Sequence, residues 1–368
     1  MGALGAVARA ALAVGTDPAC ACTLAVAGCA AGYGAVRSVA EERRGDGGDG
    51  RASASGSAST SVVELDRRGA VAVPVGASAF LLAMYYLGAV GATEVLAVAG
   101  GAAGAAAVAF ATGSAGLAAG VGAAWLVTGH WALNDAMGVC LVAMAASHLR
   151  LPDLRTAALL LSLLLVYDVL WVYASPWFMP GGDSVMVAVA TQTAPSPLVQ
   201  AARAVGLAEG ALPRFLARDL APPAKLIVPD PLGRPGDAVF LGLGDVAVPA
   251  LLLSLALAWD ARGGRAGPWQ AARRGWLFRS SLAAYVLALL LTLAVGVSFD
   301  APQPALFFIV PAMLLALAAA AARAGVLGGL WRGPRPRALD AASDKRGGGD
   351  AGRGGGESDP FLASVVVA

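Results

Sequence analysis

Charge is scarce in this chain. Asp, Glu, Lys and Arg make up 14% of its 368 residues, where soluble globular proteins carry about 25%. Apolar residues reach 58%, so the deficit excludes an ordinary soluble domain and points to a lipid bilayer as solvent. The formal net charge is only +2. No general polyanion partner is implied, and nucleic acid is not expected to bind. Lys is nearly absent, with 24 Arg to 2 Lys; that imbalance reads as coding bias and carries no function. Metal-binding residues are equally few. His130 and His148 are the two histidines, and Cys20, Cys22, Cys29 and Cys140 the four cysteines. No CxxC pair occurs, and no His or acidic ligand neighbours the cysteines, so they read as small buried hydrophobes. No metal and no cofactor is expected. Neither a Ser-His-Asp arrangement nor a phosphate loop is visible. Asn134 is followed by Asp-Ala, so the chain has no N-glycosylation sequon.

What the chain does have is long apolar runs. A transmembrane helix needs about 20 mostly apolar residues. Nine candidates fit: residues 19–36, 70–90, 94–112, 115–131, 132–150, 156–174, 238–259, 277–298 and 302–322. The fold expected is all-α and polytopic, with about nine transmembrane helices. Residues 93–131 would span nearly twice a ~30 Å hydrocarbon core if straight, so they fold back, with Gly113, Ser114 and Gly116 as the turn. The first run is a span and not a signal peptide: no basic segment directly precedes it, and Arg37 to Arg44 follow it like a stop-transfer flank.

Polar segments divide the chain. Residues 1–69 hold the first span and, at 41–61, a flexible Gly/Ser linker. Residues 70–174 hold spans two to six, and 175–237 a Pro-rich extramembrane loop. Residues 238–322 hold spans seven to nine, and 323–368 a disordered tail. Lys and Arg divide unevenly between the two sides. One side (37–69, 150–155, 260–279 and the tail) carries 20 basic residues against six on the other. The N-terminus is therefore expected to be lumenal and the C-terminus cytosolic, with the 175–237 loop lumenal.

An ionisable residue deep in a membrane marks a functional site by default. Two stand clear of span ends: Asp168 in span six and Asp245 in span seven. Glu94, His130 and Asp135 lie near predicted ends and read as interfacial. Spans six and seven are consecutive and antiparallel, and both acids come out about 10 Å below the lumenal surface. Facing carboxylates cannot both ionise comfortably, so such a pair holds one proton between them. The ionised partner can deprotonate water while the protonated one polarises a carbonyl; which Asp is which stays open. From the acids alone, a proton or cation pathway fits as well as proteolysis.

The neighbouring residues separate the two. Asp168 follows Tyr167, and Asp245 closes Gly242-Leu243-Gly244-Asp245, whose glycines let a backbone approach. Span nine opens with Gln303-Pro304-Ala305-Leu306, and Pro311 follows. In that order on three late spans, these residues resemble the signature motifs of the signal peptide peptidase and presenilin families. The resemblance extends through Leu126 to Trp131, Arg150-Leu151-Pro152, Val185 to Gln192 and Lys225 to Pro229, over roughly residues 70–322. The last two groups resemble the short, Golgi-type signal peptide peptidase-like branch. The resemblance implies nine spans in a presenilin-like arrangement, a lumenal N-terminus and proteolysis of type II membrane proteins within the bilayer. It makes Asp168 and Asp245 catalytic, with Tyr167, Gly242, Leu243, Gly244, Pro304, Ala305 and Leu306 shaping the site. Phe307-Phe308 replace the usual Leu-Tyr, and the loop between spans three and four is shorter than in relatives.

Two short segments of the lumenal loop read as strands: β-branched Val185 to Val189, and Lys225 to Val228 before span seven. An unwound substrate could add a strand beside them, which makes Val185, Met186, Val187, Lys225, Leu226 and Ile227 substrate-binding candidates. The alternative to a protease is a silent relative acting as scaffold or transporter; a transporter would want paired repeats, and none is evident. About 18 residues precede span one, which disfavours relatives with a lumenal N-terminal domain. The ending Ser-Val-Val-Val-Ala has no dilysine signal, favouring Golgi or endosomal membranes over the endoplasmic reticulum. The lipid bilayer is a partner throughout, and a homo-oligomer is left open.

Overall fold

The computed structural model describes residues 2–46, 62–179, 184–206, 219–229, 238–262, 267–299 and 303–333. Most of the expected linker and the tail from 334 lie outside the described residues. The first half comprises α1 (Gly2–Thr16), α2 (Pro18–Asp46), β1 (Val63–Glu64), α3 (Arg67–Ala89), α4 (Thr93–Thr112), α5 (Ala115–Thr128), α6 (Trp131–His148) and β2 (Leu149–Arg150). Next come α7 (Leu154–Val169), a π-turn (Leu170–Ala174), α8 (Ser175–Phe178), α9 (Val185–Thr191), β3 (Ala194–Pro195), α10 (Pro197–Ala204), β4 (Asp219–Leu220), β5 (Lys225–Pro229) and β6 (Ala238–Gly242). The chain closes with α11 (Gly244–Asp260), α12 (Pro268–Arg274), α13 (Trp276–Phe299), α14 (Leu306–Arg323) and α15 (Leu327–Arg332). Among the described residues the strands form three two-stranded ribbons. The chain is an all-α polytopic membrane protein: among the described residues, six helices are long and apolar enough to cross a bilayer.

A helix lies at each of the nine expected positions, but three fall short of a full span. α5 has 14 residues and α11 has 17, and α6 carries Asn134, Asp135 and His148. Four boundaries need correction. Residues 327–332, read as part of the disordered tail, form α15, with Leu330 fully buried. Residues 238–242, expected as the start of span seven, are strand β6, paired antiparallel with β5 from Lys225↔Gly242 to Pro229↔Ala238. Gly242 and Gly244 weaken helix at that point, and β5 offers a partner edge. Residues 41–46, read as linker, continue α2. Residues 2–16 form α1, whose Ala-rich composition favours helix although it is too short to span. α1 ends at Asp17, whose carboxylate accepts from Cys20 N–H at 3.1 Å, with Pro18 opening α2. The expected turn after α4 is present: Gly113 is left-handed at φ 71°, and the Ser114 hydroxyl accepts from Leu117 N–H at 3.2 Å.

α11 is the centre of the bundle. Residues 249–257 are all buried, as expected of a helix apolar all round. In lipid, helices associate through packing and close backbone approach. The α2 stripe Ala27, Ala31 and Ala35 is fully buried against α6, α11 and α13. The charged ends gather at one end of the bundle. Arg37 donates to the Phe110 and Ala111 carbonyls that end α4, at 2.9 and 2.7 Å. Arg150 pairs with Glu42 at 3.8 Å, β1 pairs parallel with β2, and Arg43 donates to the Ala261 carbonyl at 2.9 Å. Asp260 accepts from Phe278 N–H at 2.8 Å at the start of α13.

Candidate active site

Asp168 sits in the last turn of α7, 3% exposed. Asp245 sits in the first turn of α11 and is partly exposed. The helices pack together, and the two carboxylates lie close enough to interact electrostatically. The π-turn Leu170–Ala174 directly follows the Asp168 turn; single π-turns inside helices recur at functional sites. Pro176, at the start of α8, has no N–H for the Val172 carbonyl four residues back.

α14 delivers the third motif. Pro304, Ala305 and Leu306 are all buried. The first N–H groups of a helix have no intrahelical acceptor. The Leu306 N–H is one of them, and it donates to Asp168 Oδ2 at 3.1 Å. Gln303 Oε1 accepts from the Tyr173 hydroxyl at 2.5 Å, joining this segment to the π-turn. Gly242 leaves room for the Asp245 carboxyl: a Cβ there would stand 3.1 Å from Asp245 Oδ2, so a side chain at 242 would press on that group. Gly244 borders open space. The Leu243 N–H extends the β5–β6 ladder by donating to the Ala224 carbonyl at 2.9 Å. The ribbon therefore runs directly into Asp245.

Other expected residues lie elsewhere. Tyr167 packs against the cluster of Leu81, Trp171 and Val185. The strand expected at Val185–Val189 is helix α9, with Val185 fully buried against α3 and the π-turn. Its N-terminus is fastened by Ser175, whose hydroxyl accepts from Val185 N–H at 3.1 Å. Val185, Met186 and Val187 thus present no strand edge. Lys225, Leu226 and Ile227 do lie on a strand, β5, whose partner is β6.

Asp135, read as interfacial from its position near a helix end, is buried within the protein. Its Oδ1 accepts from Ile227 N–H at 2.8 Å, while Asn134 Nδ2 donates to the Lys225 carbonyl at 2.8 Å. One helical turn on, Gly138 leaves room for Leu226 and Leu243, which a Cβ would approach to 3.1 and 3.2 Å. α6 therefore clamps the edge of β5 that β6 leaves unpaired. An Asn-Asp pair near a helix start is the one signal that could have pointed to this clamp. Asp135→Ala is expected to lower stability by about 1–3 kcal/mol, the cost of a buried donor left unpaired. Asp135→Asn, which keeps an acceptor oxygen, should recover most of it. Hydrogen exchange at Ile227 checks this: equal protection in wild type and Asp135→Ala would remove the clamp.

The sequence profile of the family described as signal peptide peptidase matches residues 113–337, more than half of the chain. Signal peptide peptidase-like 1 of Oryza sativa subsp. japonica is 37% identical over 233 residues, covering 60% of this chain and 61% of that protein. Signal peptide peptidase-like 1 of Arabidopsis thaliana is 38% identical over 222 residues, covering 57% and 58%. Signal peptide peptidase-like 2A of Homo sapiens is 26% identical over 210 residues, covering 57% and 36%. The chain thus spans about three fifths of the length of these plant relatives. The matched region holds Asp168, Asp245 and Leu306 together with the packed helices α7, α11 and α14 that carry them, and the chain belongs to the signal peptide peptidase family.

Proposed function

We propose that the chain is an intramembrane aspartyl endopeptidase that cuts type II membrane proteins within their transmembrane segments. The observation that carries this reading is the dyad: Asp168 and Asp245 on packed helices, with Asp168 held by the Leu306 N–H. One carboxylate takes a proton from water, and the hydroxide attacks the scissile carbonyl. The protonated partner donates to the carbonyl oxygen, giving a neutral gem-diol. On collapse it recovers a proton from a gem-diol hydroxyl, while the first carboxyl passes the proton it took from water to the leaving amine, so the pair again holds one proton. Two oxygen acids sharing one proton suffice for hydrolysis, and the residues present ask for no cofactor.

A bond inside a helix must be unwound before water can reach it. The β5–β6 ribbon supports a route. It is two-stranded, with one edge of β5 taken by Asn134 and Asp135, and among the described residues nothing pairs with the far edge of β6. Phe240 on β6 is 59% exposed. A substrate strand added there would run toward Asp245. The lumenal N-terminus, cytosolic C-terminus and Golgi or endosomal location belong to the same proposal.

Co-expression with a tagged reporter tests it. A type II reporter is expected to lose its transmembrane segment, while the same segment inserted in the opposite orientation stays intact. An uncut type II reporter would return the chain to the scaffold or transporter class. In sealed microsomes a C-terminal tag should be digested by added protease and an N-terminal tag protected, because the basic residues divide 20 to six. A protected C-terminal tag would reverse the orientation.

A further inference from the structure

We propose that Tyr285 is a positioning residue for Asp245, replacing a helix hydrogen bond that Pro249 removes. The inference rests on the dyad reading above and adds a residue to it from outside the three motifs. In an α-helix each carbonyl accepts from the N–H four residues on. The donor for the Asp245 carbonyl would be residue 249, which is Pro249 and has no N–H. A proline ring also crowds the carbonyl four residues before it. The carbonyl left without its donor thus belongs to the proposed catalytic residue. α3, α11 and α14 each carry an internal proline. Pro74 deprives Ala70 and Pro311 deprives Phe307; only Pro249 acts on an ionisable residue.

A helix carbonyl without its ladder donor is left to find another partner, and a buried tyrosine hydroxyl needs one as well. Tyr285, on α13, is 0% exposed. Its hydroxyl donates to the Asp245 carbonyl at 3.0 Å. Each group satisfies the other. The first turn of α11 is thereby fixed from a neighbouring helix and not from its own ladder. Asp245 has the two-glycine link to β6 on one side and a missing ladder bond on the other. The Tyr285 hydroxyl is the contact that holds its backbone between them. It never touches the reacting carbonyl and acts through the position of Asp245.

A double-mutant cycle on the purified full chain tests this, with Tyr285→Phe, Pro249→Ala and the two combined. Turnover of the type II reporter and Tm are both measured. Tyr285→Phe should lower kcat about tenfold with KM within about twofold, and should lower Tm. Pro249→Ala restores the N–H that the Asp245 carbonyl lacks. In that background Tyr285→Phe should cost about twofold or less in kcat, with little change in Tm. Equal losses in both backgrounds, in kcat and Tm alike, overturn the proposal, since simple packing of the ring gives that result. If Pro249→Ala is itself too slow to assay, the Tm cycle decides: coupling upholds the tether and additivity removes it. If the wild-type chain cuts no reporter, the proteolytic reading fails separately, and the Tm cycle still judges the bond.

Discussion

Replacing Asp168 or Asp245 with Ala is expected to reduce reporter cleavage to background, a loss of at least about 10²–10⁴-fold from the acid–base role alone. The losses should not add. Groups that act as a unit fail together, so the double variant should be no worse than either single one. Asn substitutions should fail as well, because a neutral amide cannot take a proton from water. They also supply the folding control at Asp168. An Asn carbonyl oxygen can still accept from the Leu306 N–H, so Asp168→Asn should keep the wild-type Tm. Asp168→Ala leaves that buried N–H without a partner and should lose about 1–3 kcal/mol of stability. The pattern to look for is therefore loss of cleavage in all four variants, with loss of Tm concentrated in one of the two at position 168. Substantial cleavage by a single Asn variant would move the chemistry to another pair of residues.

The sequence shows where this chain crosses the bilayer far better than how its helices face one another. Membrane spans are apolar on most sides, so the apolar–polar period that fixes the rotation of a soluble helix is missing. α11 is the extreme case: its apolar run marks a span, and nothing in it marks the buried centre of the bundle. The same monotony hid β6, since Ala-Val-Phe-Leu-Gly extends the apolar run and only its pairing with β5 makes it a strand. Val185 to Val189 failed the other way. Its β-branched residues suggest extended chain, but burial against Leu81 and Trp171 holds it as helix. Propensity is a weak prior against packing of that kind. The acids and the Pro-Ala-Leu segment were legible because an intramembrane charge is costly and the motifs are specific. The contacts that position them were not. Leu306 acts through its N–H and Asp245 is held through its carbonyl, and a backbone group leaves no side-chain signature.

That distinction shapes the expected behaviour of Pro304, which has no ionisable group and cannot serve as acid or base. Its ring fixes φ two residues before the helix begins, and its carbonyl accepts from Phe307 N–H at 3.2 Å as α14 starts. Pro304 thereby sets where the Leu306 N–H points. Hydrogen bonds weaken steeply as their geometry departs from linear, and one made to a charged acceptor contributes about 1.5–3 kcal/mol. Pro304→Leu frees φ and adds a branched side chain at a buried site, which should displace that donor. Loss of most of the bond corresponds to a fall of about ten- to a hundredfold in turnover, at about 1.4 kcal/mol per tenfold. Binding of transition-state analogues should weaken in step, while membrane insertion is unchanged. Pro304→Ser separates two explanations. If Pro304 only starts a helix, Ser, a favoured capping residue, should be nearly neutral. If it aims the Leu306 N–H at Asp168, Ser also frees φ and should lose activity, though less than Leu because it is small. Turnover and inhibitor affinity measured for both variants decide the matter: wild-type values for Pro304→Leu would detach α14 from the dyad, and a neutral Ser beside an impaired Leu would leave only a steric role.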